Sequence, residues 1–173
     1  MVECPFQVGM GFDVHPFSQD AGRRLMLGGV EFDGPGLEGN SDGDVVAHAI
    51  ADAILGAAGL GDLGQHFPDS DESWTGADSI DLLGKVAALV AADGWALAGA
   101  DCAVVLEQPR LAPRRDQMQQ TLSAAAGGPV RLKGKRAEGL GALGRAEGIA
   151  CWAVALLWRE SGSSVSPVTE QRP

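Results

Sequence analysis

Three side chains set the chemistry open to this sequence: Asp13 and His15 in Gly9-Met-Gly-Phe-Asp-Val-His15-Pro-Phe, and His48 in Asn40-Ser-Asp-Gly-Asp-Val-Val-Ala-His48. One carboxylate and two imidazoles make a donor set suited to a divalent metal, zinc before others. Asp13 and His15 stand two residues apart, so on an extended strand they share a face.

The elements around them must bring His48 to that face. The strand is expected over Phe6 to His15, stopped by Pro16. Its other face reads Phe6, Val8, Met10, Phe12 and Val14, an apolar stripe expected to lie in the core. That would leave the Asp13/His15 face, otherwise Gln7, Gly9 and Gly11, cleared for a ligand. His48 falls on a helix opening at Ser41-Asp-Gly-Asp44, where a hydroxyl three residues before an acid is a variant of the capping box. Val46, Ile50, Ala53 and Ala57 form its apolar face. Asp44 and Asp52, one turn to either side of His48, are candidates to orient its imidazole.

Further along, Arg24–Phe32 reads as one strand with a bulge at Gly28-Gly29, and Gly59–Gly76 as a long Gly/Asp loop. A helix over Ile80–Asp93 is capped by Asp78 or Ser79 and stopped by Gly94. A buried strand spans Ala100–Leu106. Pro113 starts a helix that ends before Gly127-Gly128. Val130–Lys135 alternates apolar with basic residues, predicting a half-exposed strand with a positive face. Gly139–Gly144 leads into a last helix over Glu147–Trp158, and 160–173 reads as a disordered tail by composition. These elements predict one α/β (α+β) domain over residues 1–159, with about four strands and four helices.

Composition excludes some partners. A net charge of −10 disfavours nucleic acid and anionic membrane, no apolar run is long enough to span a bilayer, and the cytoplasm is the expected compartment. Cys4, Cys102 and Cys151 are scattered, as reduced thiols would be. The charge is unevenly placed: Leu25–Gly84 holds twelve acids and no Lys or Arg, whereas Arg110–Arg145 holds eight of the thirteen basic residues. An acidic segment for metal and a basic one for an anion would complement each other in a metal–phosphate site. Two solubilising faces would give the same pattern.

Five blocks together resemble the 2-C-methyl-D-erythritol 2,4-cyclodiphosphate synthase family: Gly11-Phe-Asp-Val-His-Pro-Phe17, Ser41-Asp-Gly-Asp-Val-Val-Ala-His48, Leu60-Gly-Asp-Leu-Gly-Gln-His-Phe-Pro-Asp-Ser-Asp71, Gly76-Ala-Asp-Ser79 and Gly144-Arg-Ala-Glu-Gly-Ile-Ala-Cys151. The resemblance implies a mixed four-stranded sheet with helices packed on one face, and a homotrimer with active sites between subunits. It implies Zn²⁺ on Asp13, His15 and His48, and Mg²⁺ or Mn²⁺ on Glu138. Three protein ligands leave one tetrahedral position open, as a catalytic zinc needs. The implied reaction is an intramolecular phosphoryl transfer that releases CMP from a CDP-methylerythritol 2-phosphate, with two metals supplying alignment and charge neutralisation.

Carried over residue by residue, the substrate-side positions are Ser41, Asp62, Gly64, Phe67, Asp69, Asp71, Lys135 and Arg145, with Arg145 and Glu147 matching residues near the trimer axis. The nucleotide pocket falls on Leu106, Pro109, Arg110, Leu111 and Ala112. The family's two transition-state-stabilising positions fall on Asn40 and Arg136, and both are substituted. A histidine is usual where Asn40 stands, and small hydroxyl residues where Lys135-Arg136-Ala137 stand. Glu107 and Leu106 add charge and bulk beside the cytosine position. Three readings follow: the family reaction, action of the same metal scaffold on another phosphorylated molecule, or a non-catalytic zinc-containing binding protein.

Overall fold

The computed structural model describes residues 4–159. The tail expected over 160–173 lies outside the described residues. The chain order is β1 (Phe6–Pro16), β2 (Leu25–Leu27), β3 (Val30–Phe32), α1 (Val45–Ala58), α2 (Leu63–His66), α3 (Ser79–Ala92), β4 (Ala96–Val105), α4 (Arg115–Ala126), β5 (Val130–Lys135), α5 (Gly141–Gly144) and β6 (Gly148–Trp158). Four strands form a mixed sheet in the order β1-β6-β4-β5, antiparallel except for the parallel β4/β5 pair. β2 and β3 form a separate hairpin, closed by Gly28 and Gly29 at φ 59° and 71°, where one bulged strand was expected.

Helix α1 organises the core. Its N-terminus is capped by Asp44, whose side chain accepts from the N–H groups of Val46 and Ala47, and Gly59 ends it in the left-handed conformation. Ten of its fourteen residues are buried, because it packs on β1 and β6 on one side and on α3 on another. Alanine at 47, 49, 51, 53 and 57 lets it come close to the sheet. At Gly11 an added Cβ would lie 2.0 Å from the Ala49 carbonyl oxygen, and at Gly9 2.1 Å from that of Ala53. Only glycine permits this approach.

This reverses the expected orientation of β1. The glycine face was expected to clear room for a ligand; it clears room for a helix. Phe6, Val8, Met10, Phe12 and Val14, expected in the core, are exposed, at 43–71% of their full accessibility. Trp152, Val154, Leu156 and Trp158 from β6 continue the same exposed apolar face.

The second correction is β6 itself, expected as a helix. Cys151, Ala153, Ala155 and Leu157 are buried while Trp152, Val154, Leu156 and Trp158 alternate outward. Both faces are apolar, so the period of two is invisible in polarity and survives only as an alternation of mostly small and large residues. The loop expected over 59–76 also contains α2 and a 3₁₀ turn at Glu72–Trp74. Cys4, Cys102 and Cys151 are free thiols, and burial together with a hydrogen bond to Cys102 pushes the Cys151 pKa far up, the hydrogen bond contributing most.

Candidate metal centre and cation-lined cavity

The packing of α1 on β1 places His48. Moving along β1 from Gly9 to Gly11 moves the contact on α1 back by one turn, from Ala53 to Ala49. Two strand residues and one helical turn both advance about 6 Å. The next odd residue, Asp13, therefore meets the first turns of α1, and His48 stands over it.

Asp13 Oδ2 lies 2.9 Å from His15 Nε2 and 3.0 Å from His48 Nδ1, and the two nitrogens are 3.4 Å apart. Tetrahedral ligands at about 2.0–2.1 Å from zinc have edges of about 3.4 Å, so this triangle fits the ion with little adjustment. All three side chains are partly buried, and among the described residues this is the one group of metal-ligating side chains close enough to hold an ion. Electrostatics agree. Burial works to raise the Asp13 pKa, but hydrogen bonds and charge from His15 and His48 outweigh it and hold the carboxylate far below its usual range. Burial works to lower the His48 pKa, and the Asp13 carboxylate reverses this and pushes it up. The pocket therefore favours positive charge at the point where the three donors meet.

The carboxylates expected to orient His48 are engaged elsewhere. Asp44 is fully buried and accepts from Gly28 and Gly29 (2.9 and 2.6 Å) as well as Val46 and Ala47 (3.0 and 3.2 Å), tying the hairpin to the start of α1. Burial raises its pKa against those donors. Asp52 accepts from the N–H of Leu63 at 2.7 Å, fixing the start of α2. His48 Nε2 instead meets the hydroxyls of Ser79 (2.9 Å) and Ser41 (3.1 Å). Arg23 reaches the carbonyls of Leu37, Gly39 and Ser41, the last two at 2.8 and 2.5 Å, and so holds the loop carrying Asn40 and Ser41. Neither the hold of Arg23 on this loop nor the contact of Ser79 with His48 was signalled by sequence spacing.

A cavity of about 210 Å³ opens beside the triad, lined among others by Asn40, Ser41, Gly64, Phe67 and Asp69. Phe67 and Trp74 wall it, their rings edge to face at 5.0 Å. Asn40 accepts from the Thr75 hydroxyl at 3.3 Å. Asp62 and Asp71 serve as caps: Asp62 accepts from Gln65, and Asp71 from the N–H of Ser73.

A second cavity, of about 330 Å³, is lined by Leu106, Pro109, Arg110, Leu111 and Ala112 together with Lys135 and Arg136. Arg115 and Lys133 add further cations. Glu107 grips Arg136 through Nε (2.9 Å) and Nη2 (2.8 Å) and also accepts from the N–H of Ala137 (3.0 Å). The hydrogen bond from Arg136 holds the Glu107 carboxyl below its usual pKa. Glu138 follows at φ 53°, a left-handed conformation uncommon outside glycine, and is separate from the triad. Arg145 pairs with Glu147 at 2.6 Å on the surface.

The family's sequence profile, YgbB, matches residues 6–158. The chain belongs to that family. It is 50% identical to a 2-C-methyl-D-erythritol 2,4-cyclodiphosphate synthase of Bordetella petrii, over 92% of this chain and all of that one. It is equally identical to a bifunctional enzyme IspD/IspF of Anaeromyxobacter dehalogenans, over 94% of this chain but 42% of that one, so the chain spans less than half of this relative. Among solved structures, the bifunctional IspDF of Campylobacter jejuni matches with a TM-score of 0.84 at 37% identity, over 90% of this chain and 43% of that one. A 2C-methyl-D-erythritol-2,4-cyclodiphosphate synthase in a CDP-bound form matches with a TM-score of 0.78, also at 37% identity, over 87% and 99%. Among the described residues no helix is long and apolar enough to cross a membrane.

Proposed function

We propose that the protein is a cytoplasmic, zinc-dependent phosphorus–oxygen lyase of isoprenoid precursor synthesis. It converts 4-CDP-2-C-methyl-D-erythritol 2-phosphate to 2-C-methyl-D-erythritol 2,4-cyclodiphosphate and CMP. The observation that carries this is the Asp13/His15/His48 triangle, with edges of 2.9–3.4 Å, in a chain half identical to a named synthase. Asp13, His15 and His48 would hold the zinc, and Glu138 a Mg²⁺ or Mn²⁺. Bound divalent ions supply neutralisation of phosphate charge.

The step forms a bond between a 2-phosphate oxygen and the β-phosphorus and breaks the bond from that phosphorus to the oxygen of the departing CMP. No covalent nucleophile is required of the protein. Its side chains align the two phosphates and stabilise charge. Lys135 and Arg110 offer cations to the diphosphate, Leu106, Pro109 and Leu111 an apolar seat for the base, and Ser41, Gly64, Phe67 and Asp69 a wall for the polyol. Asn40 contributes a neutral amide donor where the family usually has histidine.

The active unit is a homotrimer. The metal centre sits on β1 and the cationic cavity at the end of β5, opposite edges of a four-stranded sheet. Three strand spacings separate those edges by roughly 14 Å. A neighbour that covers the exposed apolar face of β1 and β6 would also bring its own β5 edge toward the metal.

The test is CMP release from the substrate with Zn²⁺ and Mg²⁺ present. We expect turnover, abolished by chelation and restored by zinc. Folded, zinc-loaded protein that releases no CMP above background would refute the assignment.

Glu107's grip on Arg136 favours a second reading, in which the rebuilt cavity takes another phosphorylated small molecule. A thermal-shift series separates the two. CMP and CDP stabilising the protein more than inorganic diphosphate supports the synthase; the reverse order supports the second reading.

A further inference from the structure

We infer that Ser79 and Asp42 form a positioning relay that fixes His48 in the one tautomer able to bind metal. This inference rests on the metal reading proposed above. Hydrogen bookkeeping carries it. The Asp42 carboxylate can only accept, and its Oδ1 takes the hydroxyl hydrogen of Ser79 in a short contact. Ser79 Oγ, having given its single hydrogen away, can only accept from its remaining neighbours. His48 Nε2, 2.9 Å from that oxygen, must therefore be the donor. The hydrogen of the neutral imidazole then sits on Nε2, and Nδ1 presents a bare lone pair to Asp13 and His15.

The neighbouring groups are consistent with this order. Ser41 Oγ accepts from the N–H of Gly43 (3.2 Å), which leaves its own hydrogen for Ser79 Oγ at 3.2 Å. Asp42 is itself braced, accepting from the N–H of Ser79 at 3.3 Å and from that of Asp44 at 3.1 Å. Ser79 is 1% exposed, so water does not compete for its hydroxyl. Without the relay the imidazole could carry its hydrogen on Nδ1, the atom that has to ligate. A partner for the second nitrogen of a ligating histidine is typically worth 10–100-fold in metal affinity.

The experiment is a Zn²⁺ titration of the full chain against a chromophoric chelator, with unfolding midpoints recorded in parallel. Ser79→Ala is expected to raise the zinc Kd about 10–100-fold. Asp42→Ala, which removes the acceptor of the Ser79 hydroxyl, is expected to do the same. The double variant is expected to lose no more than the worse single one, because the two residues act in series. Asp78→Ala is the structural control: Asp78 caps the same helix through the N–H of Ile80 at 2.8 Å, and its loss should leave the zinc Kd within about twofold of wild type, since no relay contact is removed. The relay is overturned if Ser79→Ala binds zinc as tightly as wild type, if Asp78→Ala weakens zinc as much, or if the two single losses multiply. These outcomes are independent of turnover. Zinc binding without CMP release would refute the proposed activity and leave the relay standing.

Discussion

Gly11→Ala tests the argument that links core packing to the metal centre. The added methyl would start 2.0 Å from the Ala49 carbonyl oxygen, whereas ordinary Cβ contacts begin near 3.4 Å. Strand and helix must therefore part by about 1.4 Å, and both contacting groups are backbone, which no rotamer change can move. Overpacking of this kind costs about 1–3 kcal/mol. The same displacement acts on the triad, because Asp13 and His15 ride on β1 and His48 on α1. Opening the 3.0 Å edge between Asp13 and His48 by that amount gives about 4.4 Å, beyond the edge of about 3.4 Å that zinc requires. The assay pairs urea unfolding at one fixed protomer concentration with a zinc titration. A lower midpoint and weaker zinc binding are expected together. Wild-type stability with wild-type zinc affinity would refute the claim that helix–strand contact sets the site. Lost stability with intact zinc binding would refute its extension to the triad.

Other consequences are as direct. Val154→Asp places a charge in the middle of the exposed apolar face, and light scattering should show the proposed homotrimer dissociating to smaller species while far-ultraviolet circular dichroism stays unchanged. Asp44→Ala removes the acceptor shared by four backbone N–H groups and should cost at least about 2 kcal/mol in urea unfolding. Glu107 has a folded pKa below its ordinary value of 4.5, so its contact with Arg136 is complete above pH 4.5 and is lost as the pH falls through the lower folded value. Carboxyl-carbon NMR should show that low midpoint, and Arg136→Ala should move it back up toward 4.5. If sites form between subunits, Asp13→Asn and a Lys135→Ala/Arg136→Ala variant, each inactive alone, should recover about a quarter of full activity when unfolded and refolded as an equal mixture. No recovery would place each site within one chain.

Much of the fold was legible because its signals are local. Asp78 ahead of α3, Gly94 just beyond its end, the proline before α4 and the alternation of β5 each fix an element by short-range chemistry. The errors share one physical origin. Phe6, Val8, Met10, Phe12 and Val14 read as a core stripe because apolar residues are expected inward, and β6 read as a helix because its two faces are both apolar. The premise in each case was that one chain covers its own hydrophobic surface. An α1 built on alanine, pressed against glycine, leaves no room for large side chains on the inner face of β1. The large residues of β1 and β6 are displaced to the outer face, where a second copy is the natural cover.

At the site, sequence spacing grouped the candidate ligands but not what holds them. Asp13, His15 and His48 could be grouped because a strand repeat of two and a helical N-terminus each restrict where a side chain points. Asp44 and Asp52 have the right i±4 spacing to His48, yet spacing specifies a face, not a hydrogen-bond partner. Asp44 sits at the N-cap, so the orphan N–H groups of its own helix compete for it first, with those of the hairpin. Asp52 faces the unsatisfied N–H of Leu63, where the chain restarts as α2. Both carboxylates are consumed by backbone that cannot be left unpaired. The partner of His48 Nε2 had to come from a side chain without that obligation. Ser79 qualifies because Asp78, one residue earlier, already caps α3 and leaves the serine hydroxyl free to face inward. It lies 31 residues from His48 in sequence, and only the contact between α1 and α3 brings the two together.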